Sequence, residues 1–336
     1  MMPKTLGWRT ADLIPLVNNM YLLFVRLSWL ALAWSVLAWP CQGFAAPRQV
    51  VVLLSDSAAP YQEAARAIRE GLENEMGAGR LTLRTVVADE AGAEQILAPP
   101  DALLIPLGAK AAQIMLRLDQ PMLAGLLARQ SYEKLLLSEN ARAQRRQLSA
   151  IYLDQPLSRH FQLVRAIQPR AHSVGVLLGP SQLPEQSALS SAASASGLRL
   201  ISATLNSDAD LFPALQSLLP NVDVLLLLPD PLVVNRNSVQ NLMLTTYRQR
   251  VPVLGYSPNL VEAGALAAVF STPQQIGQQI AETIQRMLPA KSWELPPPAY
   301  PKYFTIKANP SVARSLDIAV PDEATLLQRM GMRTGL

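Results

Sequence analysis

Short apolar runs alternate along the chain with segments in which apolar residues recur every three or four positions. The first pair is a run at 50–54 and a segment at 61–72 whose apolar residues fall on one helical face. Because the runs are unbroken by polar residues, they predict strands buried on both faces of a parallel sheet covered by helices. Further strands are predicted at 81–87, 102–105, 122–126, 173–178, 198–204, 222–228, 251–254, 266–270 and 303–307, and further helices at 156–167, 184–196, 208–218, 235–249 and 273–288.

This pattern predicts an α/β fold. One doubly wound sheet could hold all the strands, but the length favours two Rossmann-like lobes with parallel sheets of about five strands each. The charged segment 129–147 and the proline-rich segment 295–301 are the predicted crossovers. The first lobe is expected to comprise 46–128 and 252–295, and the second lobe 129–251 and 300–330.

The first 45 residues are typical of an export signal. Arg26 precedes the uncharged run LSWLALAWSVLAW, and small residues around Ala45 follow it. We therefore expect a signal peptide at 1–45, cleaved after Ala45, with Met20 as an alternative start, and a periplasmic mature protein. The alternative is an uncleaved membrane anchor at 22–39, which Arg26 interrupts.

Composition narrows the function classes. Lys plus Arg number 29 against 25 Asp plus Glu, without a basic cluster, which argues against a nucleic-acid partner. One cysteine and two histidines disfavour a disulfide scaffold and a Cys/His zinc site. No glycine-rich phosphate loop follows a strand, and both histidines precede the elbow-like segment 255–259. We expect no catalysis, no metal and no cofactor.

Ligands of parallel α/β sheets bind beyond the carboxyl ends of the strands. The loops predicted at those ends carry hydroxyls, glycines, an acid and a tyrosine, a mixture suited to a small polar molecule. Asp230 could receive an ammonium group and Tyr256 could stack on the ligand. The alternative is that the Ser and Asp residues cap helices. The candidate ligand-binding residues are Ser55, Asp56, Ser57, Gly108, Ala109, Ser181, Asp230, Tyr256 and Ser257.

The end of the chain resembles a known family. Residues 303–324 read YFTIKANPSVARSLDIAVPDEA, which is similar to the closing block of ABC-transporter substrate-binding proteins of the tryptophan/tyrosine-binding type. Asp317 stands where members usually have Gly. Segments 108–113 and 261–266 add to the resemblance. It implies a type I periplasmic binding fold, in which two lobes close over a ligand in the manner of a Venus flytrap.

Three loops depart from the family pattern. Segment 147–151 replaces a Gly-Asn-Val-Thr-Gly, segment 125–128 replaces an Asp-Pro-Val step, and Ala59 precedes Pro60 where His is common. Two functions are therefore open. The first is a monomeric periplasmic protein that captures a small, amino-acid-like ligand for the inner-membrane permease of an ABC importer. The second is a sensor or accessory protein of the same fold, with a degenerate cleft, that acts through a membrane protein partner.

Overall fold

The computed structural model describes residues 46–88, 98–138, 147–180 and 182–331. The predicted signal segment 1–45, including Met20, lies outside this part of the chain, and so does the candidate ligand residue Ser181. Among the described residues, no helix has the length and apolar character needed to cross a membrane.

The first sheet contains five parallel strands of the described chain, in the order β2-β1-β3-β4-β5. The central strands are buried on both faces, as the unbroken apolar runs predict. The strands are β1 (Arg48–Leu54), β2 (Leu81–Val87), β3 (Leu103–Leu107), β4 (Met122–Leu127) and β5 (Leu148–Tyr152), and the helices between them are α1 (Ala59–Gly77), α2 (Ala109–Met115) and α3 (Arg129–Leu136).

The second sheet contains six strands of the described residues, in the order β11-β10-β9-β8-β6-β7, and only β11 is antiparallel to its neighbour. Its strands are β6 (Ser173–Leu178), β7 (Arg199–Thr204), β8 (Val224–Leu226), β9 (Val253–Gly255), β10 (Ala267–Phe270) and β11 (Thr305–Ala308). The helices of this half are α4 (Leu157–Ile167), α5 (Gln186–Ala195), α6 (Leu211–Leu218), α7 (Val239–Arg248), α8 (Pro258–Glu262), α10 (Pro310–Leu316) and α11 (Glu323–Arg329).

One late helix, α9 (Pro273–Met287), packs on the first sheet and against α1. Two glycines allow the close approach. A Cβ on Gly277 would lie 2.4 Å from the Ala64 carbonyl oxygen, and one on Gly71 would lie 2.6 Å from the Ala281 Cβ. We call the first sheet with α1, α2, α3 and α9 the first lobe, and the second sheet with the remaining helices the second lobe.

The predicted strand and helix positions are confirmed, but the predicted lobe boundaries are wrong in two places. Segment 129–147 is not a crossover, since its first part forms α3 and the following residues form β5 of the first sheet. Strands β9 and β10 extend the second sheet beyond β8 instead of returning to the first lobe. Of the segment 252–295, the helix α9 and residues that follow it, among them the buried Trp293, pack on the first lobe.

Three stretches of the described chain run between the lobes: 153–156, 271–272 and 288–304. They are hydrogen-bonded to one another. Gln155 Nε2 donates to Ser271 Oγ at 2.8 Å, and Ser271 Oγ donates to the Tyr303 carbonyl oxygen at 2.6 Å. Arg159 donates to Gln155 Oε1 at 2.5 Å and to the Pro301 carbonyl oxygen at 3.0 Å. This cluster has the position and connectivity of a hinge.

Candidate functional site

Ser55 directly follows β1 and is a structural cap. Its hydroxyl donates to the Leu107 carbonyl oxygen at 2.8 Å and accepts from the Ala111 backbone N–H at 3.1 Å. Ala111 lies in the first turn of α2, so Ser55 caps that helix from a neighbouring strand. Ser55 is 5% exposed, and its hydroxyl is used in hydrogen bonds within the protein.

Asp56 and Ser57 follow on the exposed side of the same loop. Asp56 Oδ1 accepts from the Ala58 N–H at 2.7 Å, a local turn that leads into α1. The Ser57 carbonyl oxygen accepts from Gln62 Nε2 at 2.7 Å. The capping alternative therefore describes Ser55 but not Asp56, which forms a turn before Ala58, the N-cap residue of α1, and does not cap the helix. The side chain of Ser57 is exposed.

Gly108 joins β3 to α2 beneath Tyr61. Its φ is +91°, and a Cβ there would lie 2.6 Å from Ser55 Oγ and 2.7 Å from Tyr61 Cε1. A side chain at this position is thus excluded both by backbone conformation and by space. Ala109, the next residue, is exposed.

Asp230 connects two loops of the second lobe. Its carboxylate accepts from the Gly179 N–H at 3.1 Å, beyond β6, and from the Leu232 N–H at 2.9 Å. A Cβ on Gly179 would lie 2.5 Å from Asp230 Oδ2, so glycine permits this approach. Asp230 is 3% exposed and is held rigidly at the strand ends.

Tyr256 and Ser257 follow β9 and are half-buried. Burial raises the pKa of the Tyr256 phenol, and the nearby Asp230 carboxylate adds to the effect. Ser257 occupies the N-cap position of α8, but its side chain makes no capping hydrogen bond. Because β8 and β9 are neighbouring strands, Asp230 and Tyr256 lie in adjacent loops at the carboxyl edge of the second sheet.

The predicted site residues fall into two groups, one for each lobe. Ser55 and Gly108 are in contact in the first lobe, next to Asp56, Ser57 and Ala109. Asp230 and Tyr256 are neighbours in the second lobe, next to Ser257. Within the described chain, no group of three His, Cys, Asp or Glu side chains could hold a metal ion.

A charged and aromatic cluster at the end of β4 was not predicted. The strand closes with an irregularity in its pairing with β5, and Leu126 has a φ of +52°. Arg129 begins α3 immediately after it, and its backbone N–H donates to the Asp154 carboxylate. The Arg129 guanidinium pairs with Glu133 at 2.7 Å and with Glu185, which follows β6 in the second lobe.

Three tyrosines accompany this cluster. The rings of Tyr132 and Tyr152 lie 5.8 Å apart, and those of Tyr152 and Tyr300 lie 5.3 Å apart, both in edge-to-face orientation. Burial alone would lower the pKa of Arg129, but Glu185, Tyr300 and Glu133 outweigh it and raise the pKa. Burial raises the pKa of Asp154, partly offset by the hydrogen bond from Arg129.

Two surface depressions lie elsewhere, at the C-terminal helices. They have volumes of about 630 and 670 Å³ and share Ile318, Val320 and Pro321 in their walls. Neither is lined by a loop at the carboxyl ends of the parallel strands. The site described above is therefore defined by topology and polar groups and not by the size of a depression.

The sequence of the second half decides the family. The family model for ABC transporter substrate binding proteins matches residues 148–329, more than half of the 336-residue chain. The chain belongs to this family. No curated protein matches it at a significant level. The resemblance inferred from the C-terminal block is thereby confirmed.

Solved structures of similar fold include other substrate-binding proteins. A ligand-free, open substrate binding protein with adhesive properties from Clostridium difficile has 17% identity and a TM-score of 0.65, with 83% of this chain and 97% of that chain covered. An ABC domain from Streptococcus pneumonia in complex with L-Trp has 16% identity and a TM-score of 0.55, with 85% and 99% covered. A conserved domain protein from Vibrio cholerae has 22% identity and a TM-score of 0.54, with 84% and 98% covered.

At these identities the similarity concerns the fold. The fold is that of the type I periplasmic binding proteins, as predicted: two α/β lobes with mostly parallel sheets. ABC transporter substrate binding proteins bind small molecules and deliver them to a permease, and the family is not an enzyme family.

Proposed function

We propose that this protein captures a small, polar, amino-acid-like ligand between its lobes in the periplasm and delivers it, as a monomer, to the permease of an ABC importer. The observation that carries the proposal is the position of Asp230, fixed by two backbone N–H groups, and of the half-buried Tyr256 in the loops after two neighbouring strands at the carboxyl edge of the second sheet. A carboxylate next to an aromatic ring provides a partner for an ammonium group and a stacking surface.

Capture works by closure around the hinge. The carboxyl edge of each sheet contributes one wall, and the ligand stabilises the closed arrangement through contacts that exist only there. On the first-lobe wall, Ser57 and Ala109 are the exposed members of the predicted set. Asp230 enters the site preorganised, because two backbone N–H groups fix its orientation before a ligand arrives.

The second candidate function is a sensor or accessory protein of the same fold. This function is favoured by the hydrogen bonds of the Ser55 hydroxyl, which both donates to and accepts from the protein backbone. A cleft in which this hydroxyl is already engaged offers one polar group fewer to a small ligand, which suits a protein whose partner is another protein.

A thermal-shift screen of the purified protein against amino acids, nucleosides, sugars and organic acids separates the two. A ligand at 100 times its dissociation constant adds about 2.7 kcal/mol to the free energy of unfolding, a rise in melting temperature of about 5 °C for a protein of this size. A saturable shift supports ligand capture. No shift across these four classes rejects it in favour of the second function.

A further inference from the structure

Tyr61 lies against the loop that joins β3 to α2. It belongs to the first turn of α1, shortly after the loop that follows β1. A Cβ on Gly108 would lie 2.7 Å from Tyr61 Cε1 and 3.0 Å from the Tyr61 hydroxyl oxygen. Because β1 and β3 are neighbouring parallel strands, the Tyr61 ring lies at the carboxyl edge of the first sheet, the edge at which parallel α/β sheets bind their ligands.

The ring is supported by the first lobe. Tyr61 packs against the buried core that includes Leu54 and Leu107, the last residues of β1 and β3. The Gly108 N–H donates to the Gly125 carbonyl oxygen at 2.9 Å, which fixes the loop against β4. A side chain at position 108 would displace the ring, so the glycine keeps Tyr61 in this place. The aromatic group is therefore positioned before a ligand arrives.

The Tyr61 hydroxyl has no hydrogen-bond partner in the described part of the protein. The buried side-chain polar atoms that lack a partner there belong to Gln120, Ser149 and His160, and the half-buried Tyr61 is not among them. Its hydroxyl is therefore accessible to solvent, where it can both donate and accept a hydrogen bond. In this it differs from the Ser55 hydroxyl, which is used by the backbone.

The loop residues next to Tyr61 leave part of the ring uncovered. Ser57, Ala58 and Ala109 are exposed and have small side chains, which cannot cover a phenol ring. A half-buried tyrosine suits a binding site because it combines a large apolar ring with a polar group at its end. Tyr61 therefore provides an aromatic contact surface on the first lobe, as Tyr256 does on the second.

We propose that Tyr61 is a ligand-contacting residue of the first lobe, whose ring packs against an apolar part of the ligand and whose hydroxyl forms a hydrogen bond with it. Tyr61 does not belong to the set of binding residues predicted from the sequence. The inference rests on the proposed capture of an amino-acid-like ligand between the lobes, and it assigns to the first-lobe wall a contact that the engaged hydroxyl of Ser55 does not supply.

Thermal shift and calorimetric titration with the twenty standard L-amino acids test this role. The amino acid that stabilises the wild type most is titrated into the wild type, Tyr61→Phe, Tyr61→Ala and Arg66→Ala. We expect the dissociation constant to rise roughly two- to tenfold in Tyr61→Phe, which loses only the hydrogen bond. It should rise by about tenfold or more in Tyr61→Ala, which also loses the ring contact. Arg66→Ala is the matched control, because Arg66 is exposed on the same helix, and it should bind as the wild type does.

A purely structural role of Tyr61 predicts a different result: a lower melting temperature of ligand-free Tyr61→Ala and an unchanged affinity of Tyr61→Phe. Equal affinities of the wild type and Tyr61→Ala overturn the inference and leave ligand capture intact. If Tyr61→Phe alone binds as the wild type does, the hydrogen bond is overturned. If no amino acid stabilises the wild type, the proposed capture of an amino-acid-like ligand fails, and the role of Tyr61 fails with it.

Discussion

The buried His160 makes a sharp prediction about stability and pH. It is 4% exposed within α4, and its Nδ1 has no hydrogen-bond partner in the described part of the protein. Burial, with a smaller contribution from Arg159, lowers its pKa to about 4. An unfolded chain restores a pKa of about 6.5, so the unfolded state binds a proton over a pH range in which the folded state does not.

Because the unfolded state binds this proton more readily, the free energy of unfolding falls as the pH is lowered. The neutral histidine contributes fully to stability above about pH 6.5, and the contribution is lost as the pH falls towards 4. At pH 4.5 the loss amounts to about 2.5 kcal/mol on the basis of 1.36 kcal/mol for each unit of pKa. Replacement of His160 by leucine removes this titration and should flatten the pH dependence by about that amount.

The assay is urea denaturation of the wild type and His160→Leu at pH 7.5, 5.5 and 4.5. The quantity compared is the change in unfolding free energy with pH, because carboxylates that titrate in both proteins cancel in the difference. His172→Gln is the matched control, since the other histidine is exposed. Equal pH dependence of the unfolding free energy in the wild type and His160→Leu would refute the role of His160. A weaker pH dependence in His172→Gln would refute it as well.

Four further substitutions, one of them a control, test packing and capping by denaturation. Gly277→Ala should lower the free energy of unfolding by about 1–3 kcal/mol, because its Cβ would lie 2.4 Å from the Ala64 carbonyl oxygen. Gly77→Ala, where a Cβ has open space around it, should be neutral or mildly stabilising. Equal effects of the two substitutions would contradict the close contact between α9 and α1. Ser55→Ala should cost about 1–2 kcal/mol through loss of the α2 cap, and no loss would argue against capping. Asp230→Ala should cost about 2–4 kcal/mol because two backbone N–H groups lose their acceptor, and an unchanged unfolding free energy would contradict that role.

The fold was largely predictable because apolar runs identify buried strands without knowledge of their neighbours. The exception was β5, whose sequence LSAIY includes a serine and an alanine and follows a charged segment. Sheet membership was harder to predict. Strands β9 and β10 look like any other buried strands, and only their pairing with β8 places them in the second lobe.

The candidate site was predictable in its loops but not in its contacts. Topology alone places Ser55, Asp230 and Tyr256 at strand ends, and their residue types suggest either capping or ligand binding. The ion pair between Arg129 and Glu185 joins residues that no local spacing relates. The loop before Arg129 departs from the family pattern, and that departure was the available signal.

One departure in the C-terminal block has a local explanation. Asp317, which replaces the usual Gly, ends α10 with a φ of +58°. This is the left-handed conformation that favours glycine and is tolerated by aspartate better than by most other residues. The backbone at this position therefore keeps the conformation for which glycine is best suited.

Calorimetric titration tests ligand capture at the predicted site most directly. The compound that gives the largest thermal shift is titrated into the wild type, Tyr256→Ala and Tyr247→Ala, the last being an exposed tyrosine of α7. We predict saturable binding of one ligand per chain to the wild type and to Tyr247→Ala. Binding to Tyr256→Ala should be at least tenfold weaker, because that variant loses an aromatic contact worth about 1.4 kcal/mol or more. Equal affinity in all three proteins, or no saturable binding to the wild type, would contradict it.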